Sequence, residues 1–349
     1  MGRSFKKGAV PLKTLGALAA ATAAAGALWV QHRARKAERD NPPAGRFVEV
    51  DGVALHYVDK GEGPAVVLLH GNAVLLQDFI SAGLIDRLAE RHRVIAFDRP
   101  GFGYSGRPRD RLWTAQAQAS LIQQALAQIG VKQPVVLGHS WGTLVALGMA
   151  TTGAADVRGL VLVSGYYYPN ARVDVALAAP AALPIIGDVL RYTVSPVSGR
   201  LFLTRTMKAM FAPAHMPDNF FEFVAREMVP RPVQIRAAAE DAAFMIPAAA
   251  QFSARYPDLK MPVSIFAGAD DTVIDPQSNS VRLHAAIPHS TLVVVPGVGH
   301  MVHYAIPAEI VDAIDLMGVG PAVGRSGADP AASDTSATAE MLPVTPAEA

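Results

Sequence analysis

The chain has 349 residues, a hydrophobic content of 51%, a formal net charge of +1 and no cysteine. That length allows one large domain with additions, and the missing thiols exclude disulfides, thiolate metal sites and a cysteine nucleophile. The charge is uneven: residues 1–40 hold eight Lys/Arg against two Asp/Glu, leaving a mildly acidic remainder of 23 against 28 that offers no nucleic-acid surface.

At the N-terminus Arg3, Lys6, Lys7 and Lys13 precede an uncharged run over residues 15–30, and Arg33, Arg35, Lys36 and Arg39 follow it. As a helix this run reaches about 24 Å, short of a bilayer core near 30 Å unless Lys13 snorkels. Segment 1–44 is therefore expected to be a membrane anchor plus linker, a single N-terminal helix with its side unassigned. Export after signal cleavage near Ala23 to Ala25 is the alternative.

After the linker NPPAG at 41–45, FVEVD (47–51) and VALHYV (53–58) read as an antiparallel pair around Gly52. Apolar runs follow at 65–69, 93–97, 134–137, 159–163, 262–266 and 291–295, without strict alternation, as strands buried on both faces require. Helical stretches fall around 78–91, 114–129, 141–151 and 276–287. The pattern predicts an α/β fold with a mostly parallel sheet. Between Gly165 and about Ala254 the alternation stops, and prolines divide an Ala-, Met- and Phe-rich stretch into short helices. Core segments are thus expected at 45–165 and 255–317, with a helical cap or lid at 166–254 over the sheet edge where such folds bind ligands. Residues 318–349, rich in Ala, Pro, Gly, Ser and Thr, are expected to be disordered.

Residues 138–142 read GHSWG, after an apolar run and before a helical stretch of small residues. A nucleophile raised on a tight strand-to-helix turn needs strained backbone angles and small residues two places to either side. Ser140 is the candidate nucleophile.

Five motifs in chain order resemble the α/β-hydrolase superfamily over residues 45–317: HGN at 70–72, DRPGFGYS at 98–105, GHSWG at 138–142, GADD at 268–271 and GVGH at 297–300. The resemblance implies an eight-stranded, mostly parallel sheet with helices on both faces and an inserted lid. It also implies a serine hydrolase of the esterase type with the order Ser, acid, His. His300 is then the candidate base and Asp271 the candidate acid, with Asp270 and Asp275 as competitors. His303 is read as a residue supporting the site. An oxyanion needs two preorganised N–H donors, expected from the backbone amide of Trp141 and from the 70–72 loop at Asn72. His70 and Asp98 are read as loop braces, and His139 as packed beneath the turn.

HGN with a nucleophile–Trp pair is also similar to haloalkane dehalogenases. Those enzymes and the lidded epoxide hydrolases need a carboxylate nucleophile, whereas Ser140 would form an inert ether. Carboxylic esters of small, apolar molecules are the expected substrates. The alternatives are a perhydrolase or cofactor-free haloperoxidase, a C–C bond hydrolase, and a non-catalytic ligand receptor on the same fold. No metal-ligand spacing or dinucleotide fingerprint occurs, so no cofactor and no metal are expected.

Overall fold

The Val-, Leu- and Ile-rich runs at 65–69, 93–97, 135–139, 159–163 and 263–268 form strands covered on both faces, because unbroken apolar sequence leaves neither face fit for water, while the run at 291–295 forms an edge strand that is only partly buried. The computed structural model describes residues 12–151, 157–170 and 179–318. Its elements are α1 (Leu12–Asp40), β1 (Arg46–Val50), β2 (Val53–Lys60), β3 (Ala65–Leu69), α2 (Gln77–Ser81), α3 (Leu84–Ala89), β4 (Arg93–Phe97), α4 (Ala115–Gln128), β5 (Val135–His139), α5 (Gly142–Thr151) and β6 (Gly159–Val163). Among the described residues before the next strand are the α-helices α6 (Ile186–Tyr192), α7 (Ser195–Phe211), α8 (Phe220–Phe223) and α9 (Pro232–Ser253). The chain then returns to the sheet with β7 (Val263–Gly268), α10 (Arg282–Ala286), β8 (Thr291–Val295), α11 (Val302–Ala305) and α12 (Pro307–Gly318).

The eight strands are ordered β1-β2-β4-β3-β5-β6-β7-β8. β2 runs antiparallel to β1 and β4, and β3 to β8 are mutually parallel. Successive side chains of one strand enter opposite layers. Val67 and Leu69 join Val136, Leu144 and Leu162 on one face, while Val66 and Leu68 join Val135, Leu84 and Ile310 on the other. The sheet therefore separates two apolar layers and sends the loops after β3, β5, β7 and β8 to one edge.

The helix expected over 78–91 is two helices, because Gly83 adopts φ 69 and breaks the ladder between α2 and α3. The stretch expected at 276–287 opens with a π-helical turn, Gln277–Val281, before α10. Residues 1–11 of the expected anchor and 319–349 of the expected tail lie outside the described residues.

The membrane-anchor expectation is overturned. Among the described residues no helix is long and apolar enough to cross a membrane. The reason is composition: eight of the sixteen residues at 15–30 are alanine and two are glycine, so the run lacks charge without being strongly apolar. The far end of α1 instead packs on the protein, burying Val30 and Ala37 and pairing Arg33 with Glu227 at 3.0 Å and Glu38 with Arg231 at 2.8 Å. Neither the anchored localisation nor its exported alternative stands on this helix.

Candidate active site

Ser140 sits between β5 and α5 with φ 51, in the left-handed region a non-glycine residue rarely occupies. Its neighbours leave no choice of residue. A Cβ on Gly138 would lie 2.6 Å from the Gly142 carbonyl, and one on Gly142 would lie 2.1 Å from Leu69 O. Strand pairing of β3 with β5 brings the 70–72 loop beside this turn, and a Cβ on Gly71 would lie 3.0 Å from Ser140 Cβ. Ser140 is partly exposed, whereas His139 below it is fully buried.

His300 is buried, and its Nδ1 lies 2.7 Å from Asp271 Oδ2. The other carboxylate oxygen accepts from the amides of Val273 and Ile274 at 2.8 and 2.9 Å. An Asp271 held on both oxygens fixes the imidazole with Nδ1–H toward the carboxylate, which leaves the lone pair on Nε2. That Nε2 is buried and has no hydrogen-bond partner among the described residues. Asp270 and Asp275 are used elsewhere: Asp270 accepts from the Gly297 amide at 2.9 Å and Asp275 from the Ser278 amide at 2.8 Å. His139 ties the two loops together, its Nε2 lying 3.2 Å from His300 O and its ring 5.1 Å from that of His300.

The two candidate oxyanion residues engage the inserted helix through their side chains. Asn72 Nδ2 donates to Ala238 O at 3.0 Å, and Trp141 Nε1 donates to Asp241 O at 2.8 Å, both on α9. Their backbone amides have no acceptor among the described residues.

The surrounding titratable groups are braced. His70 donates from Nδ1 to Gly71 O at 2.7 Å and accepts at Nε2 from the Arg99 amide at 3.0 Å. Burial, reinforced by the Arg99 charge, lowers its pKa to about 4 and keeps the ring neutral. Burial alone would raise the Asp98 carboxyl, but the hydrogen bond from His56 at 2.7 Å and the Leu76 amide at 3.1 Å hold it below the ordinary carboxylate range. His139 is held well below its ordinary value by burial and by the nearby His303 and His300 rings. His303 donates to Asp78 Oδ2 at 2.9 Å. Among the described residues, Asp78, His139 and His303 are the metal-ligating side chains whose donor atoms gather within 4.8 Å, all buried, with the carboxylate already bonded to His303 and Tyr304.

Sequence reasoning missed Arg99, Gln118 and Asp241, which meet beneath the 70–72 loop. Arg99 Nη1 lies 2.6 Å from Asp241 Oδ2 and 3.0 Å from Gln118 Oε1. The available signal was only that Asp241, next to Glu240, adjoins the apolar stretch 242–250 of α9. In the inserted stretch Met207, Phe211 and Phe220 cluster with Val74 and Met301. A separate groove of about 370 Å³, lined by Val263, Phe266, Thr291 and Leu316, includes none of the candidate site residues.

Residues 64–305 match the model of the alpha/beta hydrolase fold family. The chain is 26% identical over 278 residues to haloalkane dehalogenase 2 of Mycobacterium tuberculosis, covering 78% of this chain and 94% of that protein. It is 28% identical over 262 residues to a 2-hydroxy-6-oxononadienedioate/2-hydroxy-6-oxononatrienedioate hydrolase of Pseudomonas putida, covering 70% of this chain and 85% of the relative. A thermophilic esterase from Thermogutta terrifontis superimposes with a TM-score of 0.61 at 22% identity, over 78% of this chain and 97% of the other. With this edge geometry and a match spanning most of its length, the chain belongs to the alpha/beta hydrolase fold family.

Proposed function

We propose that the protein is a serine hydrolase acting on carboxylic esters or related acyl compounds. The observation that carries the reading is Ser140 on a strained turn, next in sequence to a His139 whose Nε2 lies 3.2 Å from His300 O, together with a His300 whose Nδ1 is held by Asp271 and whose Nε2 is unpartnered among the described residues. His300 Nε2 takes the Ser140 proton as Oγ attacks the acyl carbon, and the carbonyl π pair moves onto oxygen. The backbone amides of Asn72 and Trp141 receive that charge. Collapse breaks the bond to the leaving alkoxide, which is protonated by the His300 imidazolium. Water, deprotonated by the same nitrogen, then releases the acid and restores Ser140.

The family includes relatives named as dehalogenases, but an alkyl group transferred to Ser140 would form an ether that water does not cleave. A carboxylate at position 140 would be needed for that chemistry. A second reading, C–C bond hydrolysis, is supported by the Pseudomonas putida relative and uses the same serine and base. Helices α6 to α9 serve as the lid over residues 166–254, on a core of 45–165 and 255–317, and admit a small, apolar acyl substrate.

Turnover of p-nitrophenyl butyrate tests the assignment. Ser140→Ala should reduce kcat by about 10⁴-fold or more, with no halide released from 1-chlorobutane by either protein. Unchanged ester turnover in the variant contradicts the nucleophile. A wild-type protein inert to esters and to vinylogous diketones supports a ligand receptor instead.

A further inference from the structure

The two amides proposed to receive the oxyanion are oriented by different means. In a trans peptide unit the N–H points opposite the carbonyl in the same plane, so fixing one fixes the other. Ser140 O accepts from the Thr143 amide at 3.0 Å and from Thr143 Oγ1 at 2.6 Å. The Ser140–Trp141 plane is thereby held by a residue three places along the chain. Gly71 O also has two donors, His70 Nδ1 at 2.7 Å and Arg99 Nη2 at 3.0 Å, while Arg99 Nε donates to His70 O at 2.8 Å. The second clamp therefore combines an adjacent ring with a guanidinium from across the fold.

Arg99 is fully buried and depends on a distant partner. Asp241 Oδ2 receives its Nη1, and Asp241 Oδ1 receives Arg107 Nη2 at 3.1 Å and Gln118 Nε2 at 3.0 Å. The guanidinium also lies 4.6 Å from the Trp141 ring centroid. A buried guanidinium without a carboxylate is strongly unfavourable, so removing the acid should shift Arg99 rather than leave it in place. The Ala238 and Asp241 carbonyls, nearly one helical turn apart, take Asn72 Nδ2 and Trp141 Nε1, which seats both loops on one face of α9.

We propose that Asp241, on the inserted helix, is a positioning residue for the oxyanion site: through Arg99 it sets the plane of the Gly71–Asn72 peptide and so the direction of the Asn72 N–H. Asp241 touches no substrate. Its role is to make stabilisation of the tetrahedral intermediate depend on the seating of α9, so that the insertion governs kcat as well as substrate binding. This rests on the serine-hydrolase reading above.

The test compares p-nitrophenyl butyrate kinetics with inhibition by phenylboronic acid, whose serine adduct is tetrahedral, in the wild type and in Asp241→Asn. The expected result is a kcat lowered about 30-fold and a boronate Ki raised by a similar factor, with KM within about twofold. Gln118→Met, which removes the neutral bridge between Arg99 and Asp241, should move kcat and Ki in the same sense by about threefold. It carries the test if Asp241→Asn is insoluble. A loss confined to KM, or KM and Ki rising together, is what a merely structural role produces and overturns the inference. A wild type that neither turns over the ester nor binds the boronate overturns the parent reading, and this inference with it.

Discussion

The edge of the sheet and the inserted helices are built on different principles. At the edge, backbone meets backbone: Cβ atoms at Gly138, Gly142 and Gly268 would fall 2.6, 2.1 and 2.2 Å from neighbouring main-chain atoms. The inserted helices are attached by side chains, through the buried pairs of Asp241 with Arg99 and Arg107 and through the cluster around Phe211 and Phe220. They also leave large apolar groups in solvent, Ile185 at 78% and Leu201 at 72% exposure. The turn that carries Ser140 is shaped by main-chain crowding. The inserted helices are carried on contacts that can be replaced one at a time.

The largest expected effect lies at the edge. Asp271→Asn should lower kcat by about 10³- to 10⁴-fold by disturbing the tautomer of His300, whereas Asp270→Asn and Asp275→Asn should stay within a few-fold. Equal losses in all three, measured by ester turnover, would show that the acid is misassigned. Next comes packing. Gly142→Ala should destabilise by about 3 kcal/mol or more in urea unfolding, because Leu69 O has no room to retreat. Leu201→Ser on the exposed face of α7 should change stability by only about 0.5 kcal/mol. Similar values for the two would erase the distinction between the regions.

Below the Gly142 substitution in size comes a pH slope. His70 is neutral in the folded chain, with a pKa of about 4 against an ordinary value of 6.5. Between those values the unfolded state binds the extra proton, so stability is fully present above pH 6.5 and declines as pH falls toward 4. From pH 7 to 5 the loss is about 2 kcal/mol. Paired urea titrations should find it in the wild type and largely missing in His70→Asn, and an identical slope in both would contradict a buried neutral ring.

The sheet was legible because each strand covered on both faces must read as an unbroken apolar run, and the runs at 65–69 and 159–163 coincide with β3 and β6. GHSWG was legible because main-chain crowding permits few residues there. Gly83 was not legible as a break between helices, since nothing local distinguishes a left-handed glycine from a tolerated one. Asp241 was hidden for another reason: its partners Arg99, Arg107 and Gln118 lie more than a hundred residues away, and no local pattern records a pairing at that distance. The N-terminal run misled because alanine is uncharged yet only weakly apolar. Its docking depends on Glu227 and Arg231, again distant in the chain.

The most direct test of the central claim is covalent labelling of the full chain with a fluorophosphonate, located by peptide mass spectrometry. The account predicts one adduct, on Ser140, formed much more slowly in His300→Ala and absent in Ser140→Ala. An adduct on another residue, or labelling of Ser140 at the same rate without His300, would contradict it.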